Sequence, residues 1–200
     1  MFEGGDGVGK STQIDALLGS LRADARGREV VTTREPGGTP LGIELRQAVM
    51  HGDHVAPRAE ALLYAADRAH HIATLVRPAL ERGAIVVQDR YLDSSIVYQG
   101  GARGLGDMVG QISMWATEGA VPDLTVVLDM EPRADRLERE LDRVERETAD
   151  HASRIREGFI ELAGREPGRY AVVDAGRPVE LVAADVRAAV EALLGKGGGA

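Results

Sequence analysis

The chain has 200 residues, a formal net charge of −8, 44% apolar residues and no cysteine. That charge argues against a nucleic-acid coat or a membrane-surface protein, both of which need a basic face, and the lack of cysteine excludes disulfides and thiolate metal sites. No apolar run approaches a membrane span and no secretory signal is recognisable, so cytoplasmic residence is expected.

The length suits one domain, expected over residues 1–194, with room for a small lid. Gly4-Gly5-Asp6-Gly7-Val8-Gly9-Lys10-Ser11 fits the pattern G-x-x-x-x-G-K-[ST]. Glycines allow the backbone to turn consecutive N–H groups onto one anion. Lys10 adds a cation for the outer phosphates, Ser11 offers a hydroxyl to Mg²⁺, and the following helix aims its positive end at the same place. Gly4 to Gly9, Lys10, Ser11 and Thr12 are therefore the candidate ATP-binding stretch, against the alternative of a structural glycine turn. Only Met1-Phe2-Glu3 stands ahead of Gly4, fewer than the about 5–6 residues of an ordinary strand, so further residues are expected before this sequence.

Ile14, Leu17, Leu18 and Leu21 then give helical spacing. Glu29 to Thr33 is β-prone and opens into Arg34-Glu35-Pro36-Gly37-Gly38-Thr39-Pro40, a run of chain breakers that predicts a loop. Leu41 to Met50 predicts a helix. Another is expected from Pro57 through Leu62, Leu63, Ala66, Ile72 and Leu75 towards Leu80, kinked at Pro78 and stopped at Gly83. Ala84 to Val87, Leu124 to Leu128 and Tyr170 to Val173 are apolar strands, and Val179 to Leu194 a final helix. Strands apolar on both faces that alternate with helices predict an α/β fold, a parallel sheet covered on both sides. The glycine-rich stretch 195–200 is expected to be a disordered tail. Residues 133–147 are dense in alternating charge, with Leu137, Leu141 and Val144 to bury; they read as a solvated helix face or as an arginine-bearing lid.

Three further stretches carry candidate chemistry. Arg34, Glu35 and Arg46 surround the Pro-Gly-Gly loop. Tyr64 and Arg68 share a helix face. Asp89-Arg90-Tyr91-Leu92-Asp93-Ser94-Ser95-Ile96-Val97-Tyr98-Gln99 follows a parallel strand at the end where such sheets bind ligands. Residues 2–12, Thr33 to Thr39, Asp89 to Gly100 and Pro122 to Asp129, in that order, resemble the signature stretches of the thymidylate kinase family. The resemblance runs from Phe2 to about Pro178 and implies a five-stranded parallel sheet flanked by helices, the P-loop nucleoside monophosphate kinase type, with a short lid.

It further implies transfer of the γ-phosphoryl of ATP to dTMP, giving ADP and dTDP for dTTP synthesis, with Mg²⁺. Asp6 would contact the sugar 3′-hydroxyl. Arg46 and Arg90 would grip the dTMP phosphate, Arg90 bridging donor and acceptor. Asp89 and Glu35 would orient arginines, water and Mg²⁺, so Ser11, Asp89 and Glu35 are the candidate metal residues. Tyr64 would stack on thymine, Arg68, Ser95 and Gln99 would read O4 and N3, and Tyr98 would pack under the deoxyribose. The Glu35–Pro36 peptide is a candidate for the cis form. Some members carry a catalytic arginine in the P-loop, where this chain has Gly7; others carry it in the lid, which makes Arg136, Arg139 and Arg143 the candidates here. The lid stretch departs from the family in being short and lacking its usual glycine, and Gln88 is an unusual residue ahead of Asp89.

Family members are usually homodimers, and Trp115 reads as a packing or dimer-contact residue. The histidines have no carboxylate or cysteine framework, so no metal is assigned to them. The expected partners are small molecules and a second copy of the chain, with neither nucleic acid nor membrane. A switch GTPase would need an Asn-Lys-x-Asp motif, and the chain contains no asparagine. A motor ATPase would leave Tyr64, Arg68, Arg90 and Gln99 unexplained. A kinase for another nucleoside monophosphate or a deoxynucleoside remains the alternative.

Overall fold

A computed structural model of the chain describes residues 1–24, 27–132, 143–148 and 151–196. Five strands, β1 (Phe2–Glu3), β2 (Val30–Arg34), β3 (Ile85–Asp89), β4 (Thr125–Asp129) and β5 (Tyr170–Asp174), form one sheet in the order β2-β3-β1-β4-β5. Every pairing is parallel. The expected sheet is present.

Alternate residues of β4 feed opposite cores, as the strand period of two requires. Val126 and Leu128 join Phe2, Val87 and residues of α1 (Lys10–Asp24) and α9 (Val179–Lys196), whereas Val127 joins Tyr98, Ile155 and Phe159. Ile155, Phe159 and Ala163 recur at i, i+4 and i+8 along α8 (Ala152–Arg165), which explains its docking on the second face.

Strands β3, β4 and β5 run one or two residues further than their apolar cores, ending on Asp89, Asp129 and Asp174. Ladder pairing carries them on: Asp89 pairs Arg34 and Asp129 pairs Asp174. Helix α2 (Pro40–His51) starts as its sequence dictates, with Pro40 in the first turn and Thr39 Oγ1 accepting from the Gly42 amide at 3.0 Å.

Helix α3 (Pro57–His71) widens into π-helical backbone at Ile72–Val76, where the Arg77 amide reaches back to the Ile72 carbonyl, and α4 (Arg77–Glu81) resumes with Pro78, the expected kink position, in its first turn. Proline has no N–H for the helical ladder, and the widened turn lies just ahead of it. A second π-helical stretch, Ile96–Ala102, continues α5 (Leu92–Ser95). Helix α6 (Met108–Ala116) and α8 occupy stretches for which no element was expected.

Gly195 and Lys196 belong to α9, so the expected tail does not begin at Gly195; residues 197–200 lie outside the described residues. Of the expected lid, 133–142 lies outside them, and helix α7 (Arg143–Thr148) is its described part.

Candidate active site

Strand β1 is central, flanked by β3 and β4, and its carboxyl end delivers the glycine-rich loop. Gly4 has φ +133°, and a Cβ there would sit 2.6 Å from the Leu128 carbonyl oxygen, so both angle and space demand glycine. Gly7 and Gly9 also have positive φ. Lys10 opens α1, and its Nζ donates to the carbonyls of Gly4 at 3.0 Å and Gly5 at 2.7 Å, wrapping the ammonium around the loop. Burial, and then the Arg90 guanidinium, push its pKa down to about 8 against the opposing pull of Asp6, Asp89 and Glu3.

Asp6 connects this loop to the next. Its carboxylate accepts from Arg90 Nη2 at 2.5 Å and from the Tyr98 hydroxyl at 2.8 Å. Burial works to raise its pKa, but Arg90, Lys10 and the Tyr98 bond outweigh it and hold the carboxyl below its ordinary value. Arg90 adopts φ +64°, unusual for a residue with a side chain. Its amide donates to the Phe2 carbonyl at 3.0 Å, and its own carbonyl accepts from Gln88 Nε2 at 3.0 Å. The odd Gln88 thus clamps Arg90. The guanidinium lies 5.3 Å from the Tyr98 ring centre, and Nη1 donates to Ser94 Oγ at 2.9 Å and Gly4 O at 3.2 Å.

Glu3, fully buried, braces the same turn from behind. Its Oε1 accepts from the amides of Tyr91 (2.7 Å) and Ser94 (3.2 Å), and its Oε2 from Ser94 Oγ (2.6 Å). Burial, reinforced by Asp93, pushes its pKa up to about 7.

Beside Asp6 and Arg90 opens a cleft of about 520 Å³, counting its mouth, lined among others by Tyr64, Arg68, Tyr98 and Gln99. Tyr98 is set edge-on to Phe159 with centroids 6.4 Å apart. Tyr64 both lines the cleft and packs in the second core. Arg68 is buried and donates to Glu35 Oε2 (2.8 Å), Ser113 Oγ (3.1 Å), Tyr91 O (3.2 Å) and Ser95 Oγ (3.0 Å). Ser95 therefore faces the cleft as a partner of Arg68.

Two candidates are already engaged by neighbouring side chains. Glu35, a candidate metal residue and orienter of arginines, accepts from Arg68 through Oε2 and pairs with His71 Nδ1 through Oε1 at 2.8 Å. Arg143, a candidate catalytic arginine, is buried, and its guanidinium donates to the Val49 carbonyl (2.8 Å) and Glu60 Oε2 (2.6 Å), a strut between helices. Arg136 and Arg139 lie outside the described residues. Arg46 Nη1 rests 3.3 Å from the Pro36 carbonyl, beside a cis Glu35–Pro36 peptide.

Mg²⁺ prefers few protein ligands plus water and phosphate, and among the described residues no cluster of three or more His, Cys, Asp or Glu could hold a metal. Asp89 Oδ1 is nevertheless buried with no hydrogen-bond partner, an oxygen left over for such an ion or its water. Ser11, exposed in the first turn of α1, completes a fitting donor set.

Sequence reasoning passed over Glu3, Glu60 and His71. Glu60 stands one turn before Tyr64 on the face shared with Arg68, and His71 three residues after Arg68, so helical spacing held the signal.

The loop at the carboxyl end of the central strand, and the cleft whose wall Asp6 and Arg90 share with it, place the chain among the P-loop nucleoside monophosphate kinases. A sequence model described as thymidylate kinase matches residues 2–186. The chain is 55% identical to the thymidylate kinase of Clavibacter michiganensis subsp. michiganensis over 206 residues, covering 100% of this chain and 97% of that protein. It is 55% identical to that of Leifsonia xyli subsp. xyli over 194 residues (93% and 90%) and 50% identical to that of Bifidobacterium longum subsp. infantis over 201 (96% and 85%). The chain belongs to the thymidylate kinase family.

Proposed function

We infer that the protein is an ATP-dependent dTMP kinase. The observation that carries this reading is the junction at Asp6 and Arg90: one ion pair belongs both to the phosphate-binding loop and to a cleft of nucleoside size lined by Tyr64, Arg68 and Gln99.

The triphosphate of ATP lies along Gly4 to Thr12, and Lys10 leaves the carbonyls of Gly4 and Gly5 for the outer phosphates. Ser11 and the unpartnered oxygen of Asp89 would hold Mg²⁺, which when bound would supply charge neutralisation at the transferring group. Thymidylate enters the cleft with its base against Tyr64, its sugar over Tyr98 and Asp6, and its phosphate towards Arg90, with Arg46 reaching from the Pro36 side. No general base is needed, because a phosphate monoester with a second pKa near ~6 is already a nucleophile at neutral pH. The obstacle is repulsion between two anions, met by in-line positioning and fixed positive charge. The further arginine for the transferring group is assigned to Arg136 or Arg139 of the lid.

A homodimer in the cytoplasm is part of the same reading. Leu62 on α3 and Met108, Met114 and Trp115 on α6 are exposed large apolar residues on two helices that pack together.

The test is ADP release from ATP and Mg²⁺ with dTMP, dUMP, UMP, CMP, AMP and GMP offered separately. Strong turnover with dTMP, less with dUMP and almost none with the others is expected. Faster turnover with another monophosphate would replace the substrate while keeping the class of reaction.

A further inference from the structure

Gln99 lines the cleft with a side chain whose two ends have the same shape and opposite hydrogen-bonding sense. If the carbonyl oxygen faces the ligand, the cleft offers an acceptor; if the NH₂ faces it, a donor. Thymine and uracil carry a hydrogen on N3, whereas N3 of cytosine is an acceptor. The orientation of one amide thus decides which class of pyrimidine fits.

Glu60 decides it. Glu60 is fully buried on α3, does not itself line the cleft, and accepts from Gln99 Nε2 through its Oε1 at 2.9 Å. A carboxylate has acceptors only, so it takes the NH₂ and rejects the carbonyl by lone-pair repulsion. Among the described residues the Gln99 side chain makes no other hydrogen bond, and its Oε1 is left for the ligand. A buried carboxylate needs compensating charge. Arg103 supplies it through Nε to Oε1 (3.2 Å) and Nη2 to Oε2 (3.0 Å), and Arg143 through Nη2 to Oε2 (2.6 Å). Both oxygens are thereby fixed, and Oε1 is aimed at Gln99.

We propose that Glu60 is a positioning residue for base selection: it fixes the Gln99 amide with its oxygen towards the ligand, so that an imide pyrimidine is accepted and cytosine refused. This rests on the dTMP kinase reading. A site built to bond one polar group rejects the analogue that leaves its own group unpaired, by roughly 10–100-fold for a single neutral bond.

The experiment compares kcat/KM for dTMP, dUMP and dCMP in the unmodified protein, Glu60→Gln and Glu60→Asp. In Glu60→Gln the new amide keeps its oxygen on Arg103 and Arg143 and turns its NH₂ to Gln99, which then flips. The expected result is that dTMP and dUMP fall together by about 10–100-fold while dCMP holds or rises, with KM for ATP unchanged; Glu60→Asp, still acceptor-only, keeps the preference. An equal loss on all three substrates would make Glu60 merely structural and overturn the proposal. Should Glu60→Gln not fold, neutron diffraction of the unmodified protein with dTMP decides: amide deuterons of Gln99 directed at Glu60 support the proposal, and a deuteron directed at the base overturns it. An unmodified protein inactive on both dTMP and dUMP would defeat the parent reading, a different result from a lost ratio in one variant.

Discussion

At the scale of single residues, the site is an arrangement of charges that are costly to bury and held by one another. Lys10 shows this most directly. Without a ligand its ammonium folds onto two carbonyls, and burial and Arg90 push its pKa down to about 8. A bound polyphosphate stabilises the charged form, so binding must bring a proton onto Lys10 once the pH exceeds that value. The Lys10 contribution to ATP affinity should therefore be constant well below pH 8 and fall by roughly thirtyfold by pH 9.5. Calorimetry in buffers of different ionisation enthalpy should register the accompanying proton uptake. Constant affinity with no uptake would mean that Lys10 stays charged in the free protein.

Among the elements, the turn between β3 and α5 depends on a residue far away in sequence. Glu3, at the end of β1, takes the amides of Tyr91 and Ser94 as an N-cap would, and its Ser94 bond reaches Arg90. Its folded pKa of about 7 exceeds the ordinary 4.5. The folded protein thus holds a proton that the unfolded chain has released between those values. The contribution of Glu3 to stability is fully present below pH 4.5 and lost as the pH rises through 7. Urea unfolding of the native protein and Glu3→Gln at pH 5 and pH 8 should show the stability difference moving against the native protein at the higher pH by about 2 kcal/mol. A pH-independent difference would place Glu3 at an unshifted value. Elements were the most legible level of the sequence, and unevenly so. The buried strands announce themselves as Ile-Val-Val and Val-Val-Leu, and the loop as its glycines. The π-helical stretches at Ile72–Val76 and Ile96–Ala102 do not, because a single widened turn changes no periodicity that eleven residues can reveal. Helix α6 is masked by Gly110 and Ser113 in its middle, and it forms because Ser113 meets Arg68 and Val109 packs inward.

For the whole molecule, the sites of greatest consequence join residues distant in sequence. Arg68 and Gln99 were visible as candidates, but that Arg68 is held by Glu35 and Gln99 by Glu60 follows only once α3 lies against the turn after β3. The same holds for Arg143, whose charge pattern suggested a lid and whose partner proved to be an interior carboxylate. The outer surface makes its own prediction. Trp115 is 82% exposed, near Met114 and Met108 on α6. Light scattering should give the mass of a dimer, and Trp115→Asp, which sets a charge in the proposed dimer contact, should give a monomer that keeps its fold. A native protein of monomer mass would refute the dimer.

The carbonyl of Gly4 accepts at once from Lys10 and from Arg90. One oxygen is thus shared by two cations, to which the proposed function gives a different substrate each. On that proposal, ATP would draw the ammonium away and leave the oxygen to the guanidinium, and thymidylate would do the reverse, so that neither substrate would meet the same loop before and after the other had arrived. Thermodynamic reciprocity then requires that any factor by which ATP changes the dissociation constant of thymidylate be the factor by which thymidylate changes that of ATP, and a glycine that contributes no side chain becomes the point through which two binding equilibria are linked.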